Sequence, residues 1–162
     1  MSSASRPTVS TSSAVRQVPH GEGETHPVMG DPMRFIMTAA HTGGTYAISE
    51  IDVRPGSGAP PHIHHNEEEA FYVLEGTFTA TVDGTTHRMA KGDYLHVPRG
   101  RVRDYLNTGD THGRLLILHC PGSAADFYIG MGKLEVPPRI EDIKALGDRF
   151  GIEVVGPGAG AE

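Results

Sequence analysis

The stretch best equipped for chemistry runs Gly56-Ser57-Gly58-Ala59-Pro60-Pro61-His62-Ile63-His64-His65-Asn66-Glu67-Glu68-Glu69. On extended backbone, residues two apart project from the same face. His62 and His64 therefore aim two imidazoles into one interior, while Ile63 and His65 point the other way. A carboxylate from the following segment would complete a two-histidine, one-carboxylate set. With open positions left over, such a set suits Fe(II) oxygen chemistry, and Mn, Ni, Co or Zn accept the same ligands. Periodicity does not choose among Glu67, Glu68 and Glu69, because residues 70–74 are apolar on both faces. The plain alternative is a solvated polar loop carrying three incidental histidines and three surface glutamates. The glycines and prolines ahead of His62 punctuate the start of a strand and argue against a helical two-histidine zinc motif.

The elements that must position these groups read as short strands separated by turns, over 34–40, 45–53, 62–65, 69–75, 77–82, 85–89, 94–97, 102–106 and 114–120. Phe78, Ala80 and Val82 alternate with Thr77, Thr79 and Thr81, and Asp83-Gly84 supplies a two-residue hairpin turn into Thr85. Ile140, Ile143, Leu146 and Phe150 recur at helical spacing between Pro137-Pro138 and Gly151, which predicts a short C-terminal helix over about 139–150. The first thirteen residues contain eight Ser or Thr and no apolar stretch, so 1–19 read as a disordered leader. The segment 157–162 reads as a flexible tail, leaving 20–156 as one domain.

Composition agrees with this division. Glycine and proline account for 33 of 162 residues, too many turn-formers for a helical bundle and too few for a disordered chain. No run of 18 apolar residues is present, so no membrane span is expected. A net charge of −6 argues against a nucleic-acid binder. The single cysteine, Cys120, excludes an intramolecular disulfide framework. The chain thus reads as soluble, acidic, cytoplasmic and mostly β.

Two spaced motifs then carry a resemblance. Gly56, His62, His64, Glu69 and Gly76 match the first cupin motif at every spaced position, and Gly92, Pro98, Gly100 and Asn107 match the second. Residues 20–156 resemble the bacterial quercetin dioxygenase-like single-domain cupins, with 71–76 and 114–118 among the similar segments. The resemblance implies an all-β fold, a double-stranded β-helix (the cupin jelly roll) with a short C-terminal helix, usually assembled as a homodimer. It implies one divalent transition metal, iron first and Ni, Mn, Co, Zn or Cu as alternatives, held by His62, His64 and Glu69. The family's fourth ligand, a histidine, falls at Arg103, and a guanidinium cannot coordinate a cation. Three outcomes follow: a three-ligand metal site with an extra open position; Arg103 turned outward or gripping an anion while another histidine substitutes; or Arg103 paired with Glu69 in place of the metal. The first is the leading expectation.

Other residues attract plainer readings. His96 and His119 are expected to be interior or surface histidines rather than replacement ligands, Tyr94 and Tyr105 core packers, and Cys120 a buried thiol. Phe127, Tyr128, Met131 and Phe150 read as lid or dimer-contact hydrophobes. The leading activity is a metal-dependent dioxygenase acting on a small aromatic or phenolic substrate of secondary metabolism, flavonol-like or polyketide. Glu69 would accept the substrate hydroxyl proton and Arg103 would stabilise an anionic intermediate. The alternatives are a non-oxidative isomerase, lyase or cyclase of natural-product biosynthesis on the same barrel, and a non-catalytic small-molecule binder.

Overall fold

A computed structural model describes residues 14–157. The Ser/Thr-rich leader over 1–13 and the tail over 158–162 lie outside the described residues, while 14–19 carry no regular structure. Two antiparallel sheets face each other across the core. In chain order the elements are β1 (Glu24–Val28), β2 (Asp31–Met37), α1 (Ala39–Thr42), β3 (Ala47–Val53), β4 (Gly58–His64), β5 (Glu68–Glu75) and β6 (Thr77–Val82). They continue with β7 (Thr85–Ala90), β8 (Tyr94–Val97), β9 (Val102–Asn107), β10 (Gly113–Cys120), α2 (Ala124–Met131), α3 (Ile140–Phe150) and β11 (Ile152–Val154). One sheet runs β1-β2-β3-β10-β5-β8 and the other β11-β4-β9-β6-β7. This is the double-stranded β-helix, with its short C-terminal helix in the expected place. Among the described residues, no helix is long and apolar enough to cross a membrane.

Strand alternation builds the core. Val53, Phe71, Val73, Phe78, Ala80, Val97, Leu115 and Ile117 turn inward and are essentially inaccessible. The Asp83-Gly84 hairpin forms as expected: both residues have positive φ, 47° and 81°, and Val82 pairs directly with Thr85. Such a two-residue turn matches the right-handed twist of its strands.

Two polar anchors fix where β4 begins. Buried Asp31 accepts hydrogen bonds from Arg54 Nε at 2.7 Å and Ser57 Oγ at 2.5 Å. Buried Asn107 donates to Val53 O and Thr111 O, while its backbone exchanges bonds with the loop at Gly56 and Ser57. At the other end of β4, Gly100 (φ 77°) turns its N–H onto His64 O at 2.8 Å. Glycine reaches that left-handed conformation without a Cβ penalty.

The helices α1 and α2 and the strands β1 and β11 carry no clear periodic pattern. Helix α2, Ala-Ala-Asp-Phe-Tyr-Ile-Gly-Met, is apolar on nearly every side because it packs against both the barrel and α3. Strand β1 interrupts its pattern with His26 and Pro27, and β11 has only three residues. Tyr94 and Cys120 depart from their expected burial: both sit on outward-facing strand positions and are exposed.

Close packing between β4 and β9 gives a direct test. A Cβ at Gly58 would lie 1.9 Å from Tyr105 O, and backbone cannot yield cheaply. Gly58→Ala should destabilise the fold by about 3 kcal/mol, read as a lower midpoint in urea unfolding; an unchanged midpoint would contradict this packing.

Candidate metal centre

Strand β4 carries Pro60 and Pro61, which have no N–H to give a ladder. The β4–β9 register shifts between Ala59 and His62 at this point. Pro60 O is left free, and His62 Nδ1 donates to it at 2.7 Å. Past the irregularity the alternation resumes, with His62 and His64 inward and buried and Ile63 between them on the other face. The turn 65–67 leads into β5, where Glu69 faces inward with Phe71 and Val73. Ligand atoms of His62, His64 and Glu69 all lie within 4.8 Å of one another.

The three glutamates differ in their partners. Glu68 points outward to His96 at 3.1 Å and Arg99 at 3.7 Å. This pairing places His96 at the surface, away from the site. Glu67 is fully buried in the turn, where it accepts from His64 Nδ1 at 3.4 Å and, through its other oxygen, from Ser123 Oγ. From its sequence Glu67 is no more than a candidate ligand; in the fold it stands behind His64, on the Nδ1 side of the ring. No periodicity marks it, since it lies in a turn.

Each candidate donor is oriented by a hydrogen bond to another of its own atoms. Pro60 O holds His62 Nδ1–H, and Glu67 holds His64 Nδ1–H, so both Nε2 lone pairs face the site. His119, opposite Glu69 on β10, donates Nε2–H to Glu69 Oε1 at 2.9 Å. His119 is thus an interior, partnered histidine, as expected. Such outer partners set the tautomer and direction of metal-binding side chains.

Arg103 lies opposite His62 on β9 and is completely buried. Its Nη2 donates to Pro98 O at 2.9 Å, and its Nε stands 3.6 Å from Glu69 Oε2 without forming a hydrogen bond. It therefore neither turns outward nor locks the glutamate. It stands on the Oε2 side of the carboxylate and does not line the adjoining cavity, whereas His62 and Glu69 do.

Electrostatics hold the donors in their ligating forms. Burial, with His64 and Arg103 nearby, pushes the His62 imidazolium pKa down to about 4, although Glu69 opposes the shift. Burial also lowers that of His64. Burial alone would raise the Glu69 carboxyl, but His64, the His119 hydrogen bond and His62 together hold it far below the ordinary range. Near neutral pH the site offers two neutral imidazoles and a carboxylate, the protonation states that metal binding requires.

These residues fit a divalent cation. His62 Nε2 and Glu69 Oε2 are buried without a hydrogen-bond partner, and an unpartnered buried polar atom is costly. An ion among the three donors would satisfy both.

Beside the donors lies a cavity of about 500 Å³, within the range of small-molecule sites. Its walls are Val28, Met33, Ile117, Phe127, Met131 and Ile143, and its polar groups are His62, Glu69, Tyr105, Tyr128 and Lys144. Phe127, Tyr128 and Met131 from α2 thus form a wall of the cavity. Phe150 packs in the cluster beneath α3.

The cupin domain family matches residues 49–119. That span contains both halves of the donor set and Arg103. These residues form a cupin domain. Over 117 residues the chain is 28% identical to "Polyketide synthase CurC" of Streptomyces cyaneus, covering 72% of this chain and 75% of that protein. Over 113 residues it is 29% identical to quercetin 2,3-dioxygenase of Bacillus subtilis (strain 168), covering 69% of this chain but 33% of that protein. Among solved structures, KdgF from Halomonas sp. superposes with a TM-score of 0.60 at 16% identity, covering 67% of this chain and 94% of that one. Cupin relatives are often enzymes and commonly bind a divalent metal, and the His62–His64–Glu69 group is where this chain could hold one.

The His62 environment predicts how stability depends on pH. The folded protein keeps His62 neutral down to about pH 4, whereas an unfolded histidine protonates near 6.5. Between those values the unfolded chain binds more protons, so stability present above pH 6.5 is lost as pH falls toward 4. Ion-free protein should lose on the order of 3 kcal/mol from this group across the window. His62→Gln should show a shallower loss in urea unfolding at pH 7, 5.5 and 4.5; an equal slope would contradict the assignment.

Proposed function

We propose that this cupin is a metal-dependent enzyme that closes or rearranges rings in a polyketide-type compound without consuming oxygen. The observation that carries this reading is Arg103. Where the family's fourth imidazole would donate electron density, this chain places a permanent cation 3.6 Å from the carboxylate. A divalent ion held by His62, His64 and Glu69 would supply Lewis-acid polarisation of a substrate carbonyl or enol oxygen. One neutral donor fewer and one positive charge more favour that role over electron donation to O2.

The chain's own residues supply the rest. The apolar wall excludes water and folds a flexible substrate against itself, which brings reacting carbons together. Glu69 Oε1 is committed to His119, so Oε2 is the atom left to serve the ion or, when that hold loosens, to accept an acidic proton flanked by carbonyls. Arg103 acts through Glu69, keeping its charge balanced, rather than by touching substrate. Similarity to a polyketide synthase protein over three-quarters of its length supports the substrate class.

The second reading is the metal-dependent dioxygenase that leads on sequence alone. It is favoured by the donor set, which matches oxygen-activating sites, and by the similarity to quercetin 2,3-dioxygenase. The two readings separate cleanly in an anaerobic assay with Fe(II)- or Zn(II)-loaded protein and a panel of 1,3-diketones and polyhydroxylated aromatics. Ring-closing chemistry predicts turnover at the same rate with and without O2 and products of unchanged oxygen content. Turnover that stops without O2 and incorporates labelled oxygen would overturn it in favour of the dioxygenase.

A further inference from the structure

Helix α2 brings Tyr128 to the edge of the donor set. Its hydroxyl stands 3.0 Å from His64 Nε2, the nitrogen that the Glu67 contact leaves as a lone pair. Its ring is fixed independently of that bond: it stacks on His119 (centroids 5.4 Å apart, planes 30° apart) and packs edge-on against Phe127 at 5.1 Å. Tyr128 also lines the cavity. Its hydroxyl and a metal ion therefore compete for one lone pair, yet the ring does not depend on winning it.

We propose that Tyr128 is an exchange donor: its hydroxyl caps His64 in the ion-free protein and, once an ion takes His64 Nε2, is freed to donate a hydrogen bond to the oxygen of a bound substrate. The inference rests on the metal-site reading above and adds a specific substrate-contacting residue to it. It also names what the substrate must present at this end, an oxygen acceptor such as an enolate, phenolate or carbonyl, next to an apolar body. A preorganised donor aimed at developing negative charge is worth most in a site closed to water.

The competition has a consequence that a merely structural tyrosine would not show. Removing the hydroxyl removes the competitor, so Tyr128→Phe should bind metal more tightly, by about two- to tenfold for one lost hydrogen bond. If loaded protein turns over a substrate, the same variant should lower kcat rather than raise KM. The chain has five tyrosines and no tryptophan, so its ultraviolet emission reports tyrosine alone.

The test titrates Zn(II), which does not quench, into ion-free wild type, Tyr128→Phe and His62→Ala, following binding by calorimetry and tyrosine emission. The expected result is tighter binding by Tyr128→Phe and a wild-type emission change at saturation that this variant lacks. Weaker binding by Tyr128→Phe would make the phenol a ligand instead and overturn the proposal, as would equal affinity with an identical emission change. His62→Ala keeps the two readings apart. If it binds Zn(II) as wild type does, the metal-site reading itself fails, whatever Tyr128 does.

Discussion

A carboxylate ionised inside a β-barrel is the constraint on which the site depends. Glu69 is 2% exposed, and burying an unpaired charge costs several kcal/mol. The protein surrounds it with an imidazole N–H from β10, a guanidinium from β9 and two imidazoles from β4. Each arrives through strand register: His119 is opposite Glu69, and Arg103 is opposite His62. Yet the compensation is incomplete, because one carboxylate oxygen and two guanidinium nitrogens remain without hydrogen bonds. A site that is crowded with charge and still unsatisfied is one poised to receive a further ion.

Arg103 decides what sort of site this is. Packed into the interior beside Glu69, a guanidinium could have formed a tight two-pronged pair and sealed the pocket. Instead it spends Nη2 on Pro98 O and stops 3.6 Å short of the carboxylate. Glu69 Oε2 is left without a hydrogen bond, and Oε1 stands 3.9 Å from His64 Nε2. The arginine therefore balances charge without lining the cavity, which stays open to ligand and substrate.

Much of this was legible in the residues. The period-two spacing of His62 and His64 gave their shared direction, the Asp83-Gly84 dipeptide gave its hairpin, and Ile140, Ile143, Leu146 and Phe150 gave α3. Local pattern could not rank the three consecutive glutamates, because the face each takes is set by what it meets across the sheet: Glu68 meets His96 and Arg99, and Glu69 meets His119. The resemblance to cupins points to Glu69, the one of the three that lies beside His62 and His64. Helix α2 stayed hidden because it is buried on two sides and lacks a polar stripe. With it went the role of Tyr128, which reads as a wall residue until the distance to His64 Nε2 is known.

The central claim is that His62, His64 and Glu69 together hold one divalent ion despite Arg103. Equilibrium dialysis of tag-free protein against Co(II), followed by metal analysis of the wild type and Glu69→Gln, tests it most directly. The account predicts one ion per chain in the wild type and essentially none in the variant, with both proteins folded. Folded wild type that takes up no metal, or a variant that retains it in full, would contradict the claim.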